Sequence, residues 1–170
     1  MRLRGLREVR SDSYVMLVRL AADRLMFLPA KDSPVKGIAD TGFIVAFARR
    51  NDRHHKWAVD VAKGITEPLL TCEAVLAESA FHLESSLYAL SLLQDEMLRI
   101  AFDCNRNVEQ LTELAERYHD RKPDLADLCL IRMSELYPRH TVITVDENDF
   151  RVYRRNKREV IPLLCPPMSR

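Results

Sequence analysis

The sequence predicts an α/β fold, with a central parallel sheet of four to five strands flanked by helices in three layers. Three observations predict it. Short apolar runs rich in Val, Ile and Leu recur as VKGIAD, EPLLTC, RIAFDC, TVITVD and VIPLLC, each too short for a helix and apolar on both faces, as buried parallel strands are. Between them lie stretches of helical character at 41–50, 54–63, 73–84, 87–98, 108–120 and 125–136, the alternation that right-handed crossovers require. Finally, 170 residues with 47% hydrophobic and 30% charged side chains suit one soluble domain that buries a core without metal or disulfide staples.

The first 35 residues stand apart. Residues 1–37 hold eight basic and four acidic side chains, a local +4 that leaves −3 for residues 38–170. Weak helical periodicity through Tyr14, Leu17, Leu20 and Leu25 ends at Pro29, Asp32, Ser33, Pro34 and Gly37. Residues 1–35 therefore read as an appendage (a partner arm, a helix resting on the domain, or an upstream start-site artefact) and residues 36–170 as the working domain. Arg19, Asp23 and Arg24 interrupt any signal-peptide core, and no apolar stretch approaches the ~20 residues of a membrane span. A reducing cytoplasm is the expected compartment, with no membrane partner.

Asp40 closes the first strand and opens the helix TGFIVAFA, where an N-cap is expected. In the helix EAVLAESAFHL, Glu73 suits the first turn as a partner of the helix dipole, with Thr71 as the cap. Glu78, among Val75, Leu76, Ala80 and Leu83, has no such explanation and reads either as a solvated face or as a carboxylate held in a cleft. The segment 87–98 carries a stripe of Leu87, Leu90, Leu93 and Met97, read first as core and second as an interface. In KPDLADLCLI, Pro123 precedes the helix, Asp124 fits the N-cap and Asp127 falls at N3. Asp146 closes the strand TVITVD and heads the acidic turn DEND. The tail RVYRRNKR follows, with Tyr153 among Arg151, Arg154, Arg155, Lys157 and Arg158.

Composition excludes several chemistries. Twenty-six basic against 25 acidic residues give +1, too little for binding nucleic acid by bulk charge. Four glycines leave no GxGxxG or GxxxxGK[ST] phosphate loop. Cys72, Cys104, Cys129 and Cys165 lie 25 to 36 residues apart, without the paired spacing of a structural zinc site, and read as core thiols. A haloacid-dehalogenase chemistry is disfavoured because Gly42 stands where a second Asp belongs. What remains is carboxylates at element ends, in a sheet whose ligands bind beyond the carboxyl ends of its strands. Carboxylates brought together repel unless a cation neutralises them. An all-oxygen set suits Mg²⁺ or Mn²⁺, the chemistry of phosphodiester hydrolysis.

The order IADTGFIVAF, LLTCEAVLAE, DLADLCLI, TVITVDENDFRVYR resembles the PIN-domain nucleases, and among them VapC-type toxins of toxin–antitoxin pairs, over roughly residues 36–167. The resemblance implies Asp40, Glu78, Asp127 and Asp146 as catalytic, metal-holding acids. Thr41 and Thr144 match the hydroxyl residues beside the first and last acids, and Asp124 and Asp149 are auxiliaries. It further implies Mg²⁺ or Mn²⁺ dependence, an RNA substrate, frequent homodimers and a cognate antitoxin. Cys129 departs from the usual small Ala or Ser. His82, one turn after Glu78, and His54 and His55 read as surface histidines. The basic residues Arg151, Arg154 and Arg155, extended by Arg121 and Lys122, read as a phosphate-binding rim with Tyr153 free to stack on a base, or as a solvated basic turn. Two alternatives stay open: a housekeeping PIN nuclease in RNA processing, and a non-catalytic RNA- or protein-binding domain.

Overall fold

The computed structural model describes residues 36–167; the expected arm, residues 1–35, lies outside the described residues. The chain runs β1 (Gly37–Ala39), α1 (Thr41–Ala48), α2 (His55–Lys63), β2 (Leu69–Thr71), α3 (Glu73–His82), α4 (Ser86–Gln94), β3 (Leu98–Ile100), a single 3₁₀ turn (Asn105–Asn107), α5 (Val108–Arg117), α6 (Leu125–Leu136), β4 (Thr141–Ile143), α7 (Glu147–Phe150), β5 (Arg154–Arg155), β6 (Glu159–Val160) and β7 (Leu163–Leu164).

Five strands form the predicted parallel sheet in the order β3-β2-β1-β4-β7, flanked by helices. Ile38, Ala39, Leu69, Leu70, Val142 and Ile143 are fully buried at its centre, which explains why these strands read as unbroken apolar runs. Helix α6 is buried nearly all round, through Ala126, Leu128, Cys129, Leu130, Ile131 and Met133. It packs on β1 and β4, and the charged residues beyond its first turn, Arg132 and Glu135, are half-buried and paired with each other. The strand order reverses between β1 and β4. That is the switch point at which such sheets bind ligands, and β1 and β4 run parallel with Ala39 opposite Ile143.

Three expectations need correction. The helix predicted over 87–98 ends at Gln94, because Glu96 adopts a left-handed φ of 53° and the Met97 N–H turns back to the Leu92 carbonyl at 3.0 Å. Leu98 is thereby released into β3, an edge strand that ends at Ile100 rather than running through RIAFDC. The stripe of α4 does not serve as core at its outer positions: Leu87 is 78% and Leu90 56% exposed, while Ala89 and Leu92 face inward. Third, Cys72, not Thr71, occupies the N-cap position of α3; the Thr71 hydroxyl instead donates to the Ala39 carbonyl at 3.3 Å, across β1 and β2. The four cysteines are free thiols, Cys72 and Cys129 buried as expected and Cys104 and Cys165 partly exposed.

Candidate active site

Asp40 follows β1 directly. Its N–H continues the ladder by donating to the Ile143 carbonyl at 3.1 Å, which places its side chain at the rim between β1 and β4. One carboxylate oxygen accepts from the Thr41 N–H at 2.6 Å, the expected N-cap of α1; the other accepts from the Thr144 hydroxyl at 2.6 Å. Because Ala39 lies opposite Ile143, the next residues, Asp40 and Thr144, are neighbours across the sheet by register alone. The fully buried Thr144 hydroxyl also accepts from the Asp146 N–H at 2.9 Å, so one oxygen orders the first and last acids together.

Glu78 is held in a cleft, as its apolar neighbours suggested. Thr41 donates its hydroxyl to a Glu78 oxygen at 2.7 Å, while His82 stands 3.7 Å from the other. Asp124 caps α6 by accepting from the Asp127 N–H at 2.8 Å, as predicted, which leaves the Asp127 carboxylate in the first helical turn.

Asp40, Glu78, Asp124, Asp127, Asp146 and Asp149 all line one cavity of about 310 Å³, together with Thr41, Gly42 and His82. Burial pushes Asp40 up to about 6, against the hydrogen bonds from Thr144 and Thr41 that favour its charge; Asp146 and Glu78 push further in the same direction. Burial, then the charges of Asp124 and Asp40, push Asp127 up to about 7. These carboxylates therefore resist carrying their charges side by side, the electrostatic signature of a site built for a cation or for proton transfer. Among the described residues, no three His, Cys, Asp or Glu side chains are gathered closely enough to hold a metal ion. A hard cation such as Mg²⁺ keeps several waters and needs only one or two carboxylates plus substrate oxygens, so the donor chemistry of this open cavity fits it without a closed cage.

Asp52 is a polar cavity residue that the sequence did not single out, and Gly42 has a role there that the sequence did not indicate. Asp52 lines the wall while its carboxylate caps the α2 entrance through the His54 N–H at 2.7 Å; its segment, NDRHHK, reads as an ordinary helix start and carries no signal for the cavity. Gly42 is required by packing, since a Cβ there would stand 2.5 Å from the Val145 side chain. Only a missing side chain lets α1 approach the end of β4 so closely. His82, read as a surface histidine, is half-exposed on the cavity rim, and its carbonyl accepts from the Arg49 guanidinium.

The basic tail differs from expectation. Tyr153 is 3% exposed, packed edge-on against Tyr118 and Phe150, and so is closed to a base. Asn156 and Lys157, both at positive φ, turn the chain into the β5–β6 hairpin. There the Arg155 guanidinium is held by Glu159 at 3.1 Å and by the carbonyls of Pro138 and Ser134. Arg154 donates to the carbonyls of Arg151 and Tyr153. Arg151 is exposed and paired with Glu147; Arg121 is exposed beside Asp120, and Lys122 is exposed.

No curated protein matches the chain in sequence. The PIN domain family does match, over residues 38–156, a segment that spans β1 to the β5–β6 turn and includes every acid of the cavity. The fold, the switch-point cavity and this match agree, and the chain belongs to the PIN domain family, whose members are typically nucleases.

Proposed function

We propose that this domain is a Mg²⁺- or Mn²⁺-dependent endoribonuclease and the toxin of a toxin–antitoxin pair, working in the cytoplasm. The observation that carries the reading is the convergence of six carboxylates, drawn from the ends of β1 and β4 and the faces of α3, α6 and α7, on one cavity at the switch point. Asp40, Asp127 and Asp146, with Glu78, are the residues that would hold the ion, and Asp124 and Asp149 would act through water. A bound divalent ion supplies an activated water and neutralises charge developing on the phosphoryl oxygens. The chain's own part is positioning. Thr144 fixes Asp40 against rotation and orders the Asp146 backbone; Thr41 holds Glu78 at the opposite wall; the half-buried Asp127 is a carboxyl able to accept a proton near neutral pH.

Phosphates of the RNA would run along Arg121, Lys122 and Arg151, the exposed cations nearest the acids in sequence. Arg154 and Arg155 support that rim only by giving up contacts inside the domain. The exposed Leu87 and Leu90 of α4, and separately Phe81, 78% exposed on α3, suit a second copy of the chain or the antitoxin.

The test is cleavage of a single-stranded RNA by purified protein. The expected result is cleavage with Mg²⁺ or Mn²⁺, loss in EDTA and loss in Asp40→Asn. Cleavage that survives both would refute the metal mechanism. A growth arrest on expression that is relieved by the product of a small upstream reading frame separates a toxin from a housekeeping nuclease. Calorimetric titration with Mn²⁺ that shows no binding would favour the non-catalytic domain.

A further inference from the structure

Three of the four cysteines converge in a place the proposed chemistry does not use. Cys129 is fully buried on α6. Cys104 lies in the loop between β3 and the 3₁₀ turn, partly exposed, with its sulfur 3.7 Å from that of Cys129. Cys72, fully buried where β2 passes into α3, neighbours the Cys129 thiol on the inner side. The three come from distant parts of the chain, and their sulfurs run from the surface into the core.

We infer that Cys104 and Cys129 form a peroxide-responsive dithiol, a modification site separate from the acidic cavity. Exposure sets the order of events, because peroxide reaches Cys104 before either buried thiol. The Cys104 sulfur attacks the peroxide, the O–O bond breaks, and sulfenic acid and water result. The Cys129 sulfur then attacks the sulfenic sulfur; the S–S bond forms, the S–O bond breaks, and the departing oxygen leaves as water with the thiol proton. Two thiols and one peroxide thus yield one disulfide and two waters.

The sulfurs must approach from 3.7 Å to about 2.05 Å. The Cys104 loop, outside any regular element, can make that movement, whereas α6 is packed on both sheet and helices. The bond would tether α6 at the start of its second turn to the loop after β3, and Asp127 lies two residues before Cys129. In a reducing compartment such a pair stays open and closes only under oxidant, the usual behaviour of intracellular sensing thiols.

The experiment is peptide mapping of the full chain, reduced, treated with hydrogen peroxide, alkylated under denaturing conditions and digested. The expected product is a species joining the Cys104 and Cys129 peptides, lighter than their sum by two hydrogens and reversed by dithiothreitol, with Cys165 still alkylated. Cys129→Ser should leave Cys104 open to dimedone, the sulfenic acid trap; Cys104→Ser should abolish the linkage, and Cys72→Ser should retain it. Full alkylation of Cys104 and Cys129 after a peroxide dose that oxidises glutathione would overturn the proposal, as would linkage of Cys104 to Cys165. If a serine variant fails to fold, the wild-type map decides alone.

Discussion

Replacing Asp40 by Asn separates the electrostatic cost of the site from its architecture. The wild-type carboxyl titrates at 3.8 in the open chain but is raised to about 6 in the folded protein. Between these values the folded state binds a proton that the unfolded state has released. Stability therefore falls as pH rises: the contribution of Asp40 is complete below about pH 4 and is lost as pH passes through about 6. At about 1.4 kcal/mol per pH unit the loss amounts to about 3 kcal/mol. Asparagine keeps the volume, and its side-chain oxygen still accepts from the Thr41 N–H. It carries no charge, and without that charge Asp127 is also easier to ionise, which adds in the same direction. Urea unfolding in EDTA, followed by the fluorescence of Trp57, the single tryptophan, which packs edge-on against Phe43, measures the effect between pH 4.5 and 8. The variant should gain on the wild type with rising pH, by up to about 3 kcal/mol at neutral pH and above. A difference that stays constant, or shrinks as pH rises, would refute the assignment of burial as the cause. Adding Mg²⁺ at pH 7.5 should raise the wild-type midpoint and leave the variant unchanged, as binding to the native state alone requires.

Thr144→Val removes the donor to Asp40 and the acceptor of the Asp146 N–H in a fully buried position. It should cost about 1–3 kcal/mol and push the Asp40 titration higher still, read from the same pH series. Gly42→Ala should destabilise by about 1–3 kcal/mol through overpacking against Val145, with Val145→Ala restoring part of the loss in a double-mutant cycle; strict additivity would disprove the contact. Arg155→Ala should lower the melting temperature, because Glu159 and two carbonyls lose their partner, and a change in RNA affinity without a change in stability would contradict that. Arg121→Ala with Lys122→Ala should flatten the salt dependence of single-strand RNA binding by roughly 1.4, at about 0.7 per phosphate contact, measured in the Asp40→Asn background to prevent cleavage.

The legible parts of this molecule are those where one physical demand dominates a short stretch. Ile38, Leu70 and Val142 are buried on both faces of a sheet, so their runs read as strands; Asp40 and Asp124 are caps, so their places at helix starts read directly. Glu78 was legible as a puzzle, a carboxylate among apolar neighbours, and Thr41 resolves it. The illegible parts depend on partners remote in sequence. Nothing near Asp52 indicates that it turns into the cavity, and nothing near Tyr153 announces that Tyr118 and Phe150 bury it. The arginines of the tail look alike in sequence, yet Arg155 is locked by carbonyls from residues about 20 positions away while Arg151 stays exposed. The hairpin turn at Asn156 and Lys157, just after Arg155, was not read from the sequence at all.

The hydroxyl of Thr144 joins Asp40 across 104 positions of chain. During synthesis, α1, α2 and α3 can form while the ribosome still holds everything after β3, but the first acid then has neither its donor nor the neighbouring strand that orients it. Contacts of such long range form late and slow folding. A nascent or prematurely terminated fragment that ends before β4 thus carries Asp40 without the Thr144 donor and without Asp146 beside it. If the proposed activity holds, the order of elements delays it until β4 has been made and the domain is nearly finished.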